Sequence, residues 1–264
     1  MPGYIDIGAN LTHDSFAPDL EQVLDRAHDV GIKKIVVTGA SEEGSVAAHQ
    51  LAQQQRGFLY ATAGVHPHHA SDYSAETDSV LRDLLRSDEV VAVGETGLDT
   101  FRNFSPIADQ QKAFEKQLEI AAEIKKPLFM HQRESHERFM AILSDYLPSL
   151  GKGVVHCFTD SKEALNDYLD AGLYIGITGW ICDERRGLLL RELVRHIPLD
   201  RMMIETDAPY LLPRDLKPKP KSRRNEPYQL AHISQVIAGC IGMDEEPFRA
   251  AVYETTNDFF AWPC

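Results

Sequence analysis

The chain has 264 residues, 43% of them hydrophobic, which is enough to build a sizeable core. Forty acidic residues against 27 basic ones leave a net charge of −13. This charge argues against a protein that coats DNA or binds membrane surfaces, since both need a basic field, but it does not exclude an enzyme that contacts nucleic acid locally.

Neither a targeting segment nor a membrane span is predicted. The start, MPGYIDIGANL, lacks a basic segment followed by a long apolar one, and no apolar run approaches the roughly 18 residues of a membrane helix. The four cysteines have no C-x-x-C spacing, which favours reduced thiols over a disulfide framework: Cys157, Cys182, Cys240 and Cys264. These features predict a cytoplasmic protein.

Eight short apolar runs alternate along the chain with helical patterns. The runs are rich in Val and Ile, as in parallel strands covered on both faces, and lie at 4–8, 34–39, 59–65, 90–94, 127–131, 153–158, 173–179 and 202–207. Helices are predicted near 19–30, 43–55, 76–87, 110–125, 135–147, 161–171, 184–196, 228–241 and 245–260. This alternation predicts one α/β domain over residues 1–264, a (β/α)₈ TIM barrel.

Metal-binding side chains recur where the predicted strands end, and barrel active sites lie at those ends. In chain order they are Asp6 and Asn10, His66 and His68, Glu95, His131, His156, and Glu205 with Asp207. Any one of them alone could be structural. Together, two histidines and two carboxylates would bury several charges unless a cation lay among them, so we predict a divalent metal held by Glu95, His131, His156 and Asp207.

The period of two along a strand predicts which side chains share a face. It pairs Val93 with Glu95, Phe129 with His131, Val154 with His156, and Glu205 with Asp207. It also directs Cys157 toward the helices, which excludes this thiol as a ligand. Of His66 and His68, we expect His66, nearer its strand, to reach the substrate.

Basic and aromatic residues are concentrated at the same end of the barrel. The proline-rich loop 208–227 carries six basic residues, which are Arg214, Lys217, Lys219, Lys221, Arg223 and Arg224. Arg102 and Arg133 follow the fourth and fifth strands, and Phe101, Phe104 and Trp180 could either stack unpaired bases or pack the loops. The pattern predicts a phosphate-bearing substrate that is attracted locally by an otherwise acidic protein.

Five motifs resemble those of the TatD-type metal-dependent hydrolases, within the amidohydrolase-like barrels. They are GVHPH (64–68), VGETGLD (93–99), FMHQR (129–133), VHCF (155–158) and ETDAPYLLP (205–213). The resemblance covers the whole chain and implies a Mg²⁺-dependent 3′→5′ exonuclease on single-stranded DNA and RNA. It implies Glu95, His131 and His156 as metal ligands, Asp207 as the carboxylate of strand 8, and His66 at the substrate phosphate.

One departure concerns the first strand. Most members of the family carry H-x-H after the first aspartate, whereas this chain has Gly8 and Asn10. Two ligands are therefore missing from the first of two metal positions, and Asn10 is left to offer a carbonyl oxygen near the substrate. The second position, built on Glu95, His131 and His156, is expected to be the stronger one.

The predicted reaction is metal-assisted phosphodiester hydrolysis. Asp207 would orient a water molecule and accept its proton, while Arg133 and Arg223 would hold the phosphate. Mixed nitrogen and oxygen ligands suit Mg²⁺, Mn²⁺ or Zn²⁺. We expect a monomer that acts on DNA or RNA strands, with DNA repair as its setting.

Two alternatives stay open. One is an amidohydrolase-type enzyme that acts on a cyclic amide or a nucleobase, although such barrels commonly carry a bridging lysine on strand 4, where this chain has Glu95. The other is a binding scaffold with weakened catalysis, which the replacement of the histidine pair by Gly8 and Asn10 would explain.

Overall fold

Strands and helices alternate along the chain, as predicted. The computed structural model describes residues 2–260 and Trp262, so the prediction for Cys264 lies outside the described residues. The strands are β1 (Tyr4–Ala9), β2 (Ile32–Val37), β3 (Leu59–Ala63), β4 (Val90–Asp99), β5 (Leu128–Arg133), β6 (Gly153–Val155), β7 (Tyr174–Ile177) and β8 (Met202–Ile204). The α-helices are α1 (Leu20–Asp29), α2 (Glu42–Gln54), α3 (Ala75–Leu84), α4 (Ile107–Ile124), α5 (His136–Tyr146), α6 (Lys162–Asp170), α7 (Leu188–Leu193), α8 (Leu230–Ile241) and α9 (Glu245–Phe260).

The eight strands form one parallel sheet in sequential order from β1 to β8. A parallel bridge between Ala9 and Ala208 joins the first strand to the segment that follows the last. The Asn10 N–H donates to the Ala208 carbonyl over 2.6 Å, and the Asp207 N–H donates to the Gly8 carbonyl over 2.8 Å. The sheet is thus a nearly closed (β/α)₈ barrel, which confirms the predicted fold.

Apolar side chains pack on both faces of the sheet, which explains the continuous Val/Ile runs. One buried cluster lies inside the barrel and includes Ile7, Phe129 and Val154. A larger cluster lies between strands and helices, where Leu118 and Phe139 pack. Because the two layers fix every strand on both faces, the strand ends are held in a rigid ring.

The strand boundaries differ from the prediction in ways that matter for the site. β4 continues to Asp99, so Glu95 lies within the strand and not at its end. The register between β4 and β5 shifts between Val93 and Thr96. Because of this shift the period of two is broken: Val93 packs in the outer cluster, whereas Glu95 lines a cavity, and the prediction that they share one face was wrong.

Gly97 allows the second half of β4 to lie against β5. Its φ is +140°, and a Cβ there would lie 1.9 Å from the His131 carbonyl oxygen. We expect Gly97→Ala to lower the free energy of unfolding by about 2–4 kcal/mol, measured by denaturant titration. The control is Gly239→Ala in α8, where a Cβ meets no atom within 4 Å; there we expect a gain of about 0.5–1 kcal/mol. Equal stability of the two variants would contradict this account of β4.

Two further findings concern the described residues. None of their helices combines the length and the apolar composition that a bilayer crossing requires. The thiols of Cys157, Cys182 and Cys240 are free, in line with the prediction for these three.

Candidate active site

A cavity of about 830 Å³ opens at the C-terminal end of the barrel. The eight residues predicted to bind the metal or the substrate or to act as the base all line it: Asn10, His66, Glu95, His131, Arg133, His156, Asp207 and Arg223. They come from segments far apart in sequence and meet because the C-terminal ends of parallel strands share one edge of the sheet. Their individual roles stay predictions.

The centre of the site is one carboxylate oxygen, Glu95 Oε1. It lies 2.7 Å from Nε2 of His156, 3.2 Å from Nδ1 of His131 and 3.3 Å from Nε2 of His66. All four residues are at least four-fifths buried at the side chain. Three nitrogens and one oxygen gathered in this way form a donor set that a divalent cation could use.

A second carboxylate lies behind each of two rings. Oδ2 of Asp99 is 3.2 Å from Nε2 of His131, and Oε2 of Glu205 is 3.3 Å from Nδ1 of His156. Each carboxylate accepts the proton of the ring nitrogen that faces it. The opposite nitrogens, which face Glu95, are then the ones whose lone pairs are free for a metal.

In His66, by contrast with His131 and His156, the nitrogen that faces Glu95 carries the ring proton. Its Nδ1 accepts the backbone N–H of His68 over 3.0 Å. Burial, the largest influence, lowers its pKa well below the ordinary value, so the ring is neutral. The single ring proton of a neutral His66 is therefore on Nε2, which makes this nitrogen a hydrogen-bond donor. A donor at this place suits an anionic oxygen better than a metal.

The titration of the central groups follows from their mutual contacts. Burial alone would raise the pKa of Glu95, but the imidazoles of His66 and His156 outweigh it and hold that pKa well below its usual range. Burial likewise opposes protonation of His156, but Glu95 and Glu205 raise its pKa well above the usual value. Without a metal, the cluster is held together by imidazolium–carboxylate pairs. A divalent cation would displace those ring protons.

Asp207 lies beside this cluster, just beyond β8. Its Oδ1 accepts a hydrogen bond from the Asn10 side-chain amide over 2.9 Å. Burial raises the pKa of Asp207 to about 7. Asn10 therefore contacts the predicted catalytic carboxylate directly, and its amide group orients that carboxylate.

Gly8, at the position of a missing histidine, makes room for Glu205. A Cβ on residue 8 would lie 2.5 Å from Oε2 of Glu205. The other oxygen of this fully buried carboxylate accepts the Cys157 N–H over 2.6 Å. In this chain, then, a carboxylate that contacts His156 takes up the space next to Gly8.

The prediction that Cys157 points toward the helices was wrong. β6 ends at Val155, and Cys157 has a φ of +49°, so the alternation of a strand does not extend to it. Its side chain lines the cavity together with His156. Burial raises the pKa of this thiol well above its usual value, so it stays protonated and is a poor metal ligand.

The basic loop 208–227 is divided in its contacts, in contrast to the single positive island that the sequence suggested. Arg223 lines the cavity. Arg224 instead pairs with Asp19 over 2.7 Å and with Glu226 over 2.8 Å, which ties the loop to α1. Arg214 lies 3.6 Å from Asp183, in the loop after β7.

Asp99 was missed as a site residue, although it lies in the motif VGETGLD (93–99), and His68 was set aside in favour of His66. Nε2 of His68 is 2.9 Å from Oδ2 of Asp99, the oxygen that also faces His131. Burial would raise the pKa of Asp99, but the hydrogen bonds from His131 and His68 lower it strongly. Asp99 thus fixes the orientation of two rings in the cavity.

We expect Asp99→Asn to weaken metal affinity and activity by about 10- to 100-fold, because the amide leaves the His131 ring without its anionic partner. Isothermal titration with Mn²⁺ and a nuclease assay measure the two effects. The control is Asp78→Asn in α3, whose carboxylate pairs with Arg82 away from the cavity. Unchanged metal affinity in Asp99→Asn would show that this carboxylate does not orient a ligand.

Comparison with known proteins points to one family. The family model described as TatD related DNase matches residues 5–261. A relative from Erwinia billingiae named 3'-5' ssDNA/RNA exonuclease TatD is 55% identical over 258 residues, which is 98% of this chain and 99% of the relative.

Solved structures agree in fold over nearly the full length. A TatD homologue from Escherichia coli superposes with a TM-score of 0.89 at 28% identity, covering 98% of each chain. A hydrolase of the TatD family from Entamoeba histolytica gives a TM-score of 0.88, also at 28% identity and 98% of each chain.

Proposed function

This chain belongs to the family of TatD related DNases, and on that premise we propose that it removes nucleotides from the 3′ end of single-stranded DNA and RNA. It is a metal-dependent nuclease, a hydrolase of phosphodiester bonds. The observation that carries the proposal is the convergence of three imidazole nitrogens on Oε1 of Glu95. The direction of digestion rests on the names of the relatives.

The donors of the site fit a divalent cation. We propose Glu95, His131 and His156 as its ligands, because the carboxylates of Asp99 and Glu205 take the outer protons of the two rings. We propose Mg²⁺ as the metal, with Mn²⁺ and Zn²⁺ as alternatives. When bound, the cation supplies Lewis acidity, which makes a water molecule more acidic and polarises a phosphoryl oxygen.

Asp207 is proposed as the general base. The Asn10 amide occupies its Oδ1, and the remaining oxygen can accept the proton of the attacking water. A pKa of about 7 suits a base that works near neutral pH. As the water oxygen bonds to phosphorus, the bond from phosphorus to the departing nucleoside oxygen breaks, and that oxygen takes up a proton from solvent water, to which Asp207 later returns its own.

The phosphate is proposed to be held by donors on the cavity wall. His66 offers a neutral Nε2–H, and Arg133 and Arg223 bring positive charge to the same cavity. These groups face the non-bridging oxygens, where negative charge accumulates as the water attacks. The same cavity thus supplies a base, a metal site and phosphate donors.

We further propose that the chain acts in the cytoplasm, as a single-domain monomer, on strands exposed during DNA repair. The acidic net charge supports this setting, because it limits non-specific adsorption to duplex DNA and leaves attraction to the basic residues around the cavity. Sedimentation of the purified protein tests the monomer.

The test is digestion of end-labelled single strands with Mg²⁺ and then with a chelator. We expect a 3′ label to be released at once as a mononucleotide, a 5′ label to give a descending ladder, and the chelator to stop both. Ammonia release from nucleosides without strand cleavage would instead indicate the amidohydrolase alternative. Binding without cleavage in pure protein would indicate the scaffold.

A further inference from the structure

A group of arginines next to the cavity is organised by one buried carboxylate, Asp183. Its Oδ2 lies 3.0 Å from Nε of Arg186 and 3.6 Å from Nε of Arg214, and its Oδ1 lies 3.6 Å from Nε of Arg185. The Asp183 side chain is 4% exposed, whereas these three arginines, here called the arginine cluster, are 52–64% exposed. Over residues 2–260 and Trp262 the cluster has ion pairs with no other carboxylate, so three guanidinium groups share the single charge of Asp183.

Asp183 is itself held firmly in place. Its Oδ1 accepts the backbone N–H groups of Arg185 over 3.0 Å and of Arg186 over 3.3 Å, and its carbonyl accepts the Gly187 N–H over 2.8 Å. Burial alone would raise the pKa of Asp183, but these hydrogen bonds and the Arg186 guanidinium outweigh it and lower that pKa to about 2. The carboxylate is therefore ionised at neutral pH, and it is a fixed anchor for the loop after β7.

A row of alternating guanidinium and aromatic groups connects the cluster to the active site. The guanidinium carbon of Arg186 lies 4.5 Å from the centre of the Trp180 ring. The guanidinium carbon of Arg133 lies 5.3 Å from the centre of the same ring. Arg133 in turn lies 5.1 Å from the centre of the Phe101 ring. All four side chains line the catalytic cavity. Arginines that bind phosphates and aromatic rings that stack bases are the two elements of sequence-independent single-strand binding.

We propose that Asp183 is a positioning residue that holds the arginine cluster as a binding site for the phosphates of a single strand, with Arg186 on the wall of the catalytic cavity and Arg185 and Arg214 beyond it. The row from Arg186 to Phe101 then leads the strand from this site to the metal cluster. The inference rests on the proposed function, since it assumes that the chain in the cavity is a nucleic acid. It adds a binding site for the part of the substrate that is not being cut.

The decisive variant is Asp183→Asn. The change in net charge predicts tighter binding of an oligonucleotide, whereas the loss of arginine orientation predicts weaker binding. The change makes the loop more positive, so a simple field effect would tighten binding of a polyanion. The amide keeps an acceptor for the backbone N–H groups but loses the ion pairs that orient the arginines. If position decides, the dissociation constant of a labelled oligothymidine of about 12 nucleotides rises about tenfold. It is measured by fluorescence anisotropy in chelator, where no cleavage occurs.

A second pair of variants keeps the proposal falsifiable if Asp183→Asn unfolds. Arg214→Gln is expected to weaken oligothymidine binding and to reduce the slope of binding against salt by about one. Its matched control, Arg201→Gln, removes the same charge from an arginine that lies 4.9 Å from the Tyr174 ring, at the opposite end of the barrel. Equal binding and salt slopes in the two variants would overturn the proposal.

Hydrolysis of a dinucleotide separates this inference from the proposed function. A dinucleotide carries a single phosphodiester group, which the metal cluster holds, so we expect Asp183→Asn to cut it at close to the wild-type rate while it loses affinity for the longer strand. An equal loss on both substrates would overturn the positioning role, because it would mean that Asp183 only supports the fold of the cavity. If the wild type cuts neither substrate, the proposed function fails, and anisotropy in chelator still tests the cluster.

Discussion

Replacing Glu95 by glutamine is expected to remove nuclease activity almost completely and to weaken metal binding. One oxygen of Glu95 meets nitrogens of His66, His131 and His156, so the variant loses a negative charge that all three rings share. A neutral amide cannot supply an anionic ligand, and its NH₂ group can donate where an acceptor is required. Loss of several kcal/mol of transition-state stabilisation corresponds to at least about a 10³-fold lower kcat/KM.

The matched control is Glu89→Gln, the same chemical change just before β4 begins. Glu89 pairs with Arg56 over 3.0 Å at the opposite end of the strand, and its side chain is 14% exposed. We expect this variant to keep wild-type kcat/KM and metal affinity, measured on an end-labelled single strand and by titration with Mn²⁺. If Glu95→Gln retained more than about a tenth of the activity, the convergence at its carboxylate would not be the catalytic feature.

The barrel could be predicted because its signal is local and repeated. Runs such as VVAV at 90–93 are buried on both faces, and helical patterns separate them, which leaves few folds to consider. Once a barrel is assumed, the meeting of Glu95, His131, His156 and Asp207 follows from geometry, since C-terminal strand ends share one edge. The structure brings all four into one cavity.

The carboxylates behind the rings could not be predicted in the same way. Asp99 faces His131 only because β4 continues beyond a register shift, and nothing in the local pattern indicates that extension. Glu205 was recognised as a strand-end residue, but its contact with His156 depends on the space that Gly8 leaves. Both contacts join residues more than 30 positions apart. Each carboxylate holds the proton of one ring nitrogen and thereby decides which nitrogen of that ring can bind a metal.

Other errors came from applying a period beyond the element that produces it. β6 has three residues, so the alternation inferred for Cys157 had no strand to support it.

Arg224 was grouped with a basic run, yet its partner Asp19 lies 205 positions away in sequence. Charge patterns indicate where basic residues are, whereas long-range ion pairs determine which of them are free to bind substrate.

Replacing Asp207 by asparagine is expected to lower kcat by about 10²- to 10⁴-fold while the metal stays bound. The sequence predicted two roles for this residue, metal ligand and general base, and this variant separates them. An asparagine preserves the volume and can still meet Asn10, but it cannot accept a proton from water. Titration with Mn²⁺ and single-turnover hydrolysis of an end-labelled strand measure the two properties independently.

The pH dependence provides a further criterion for the same residue. A carboxylate acts as a base only when ionised, so the kcat of the wild type falls as the pH drops below the pKa of Asp207, and Asp207→Asn lacks this limb. The control is Asp200→Asn, an exposed carboxylate at the opposite end of β8, whose profile is expected to match the wild type. If Asp207→Asn lost metal binding together with activity, the main role of Asp207 would be that of a metal ligand and not that of the general base. The proton of the attacking water would then have to leave through another group in the cavity.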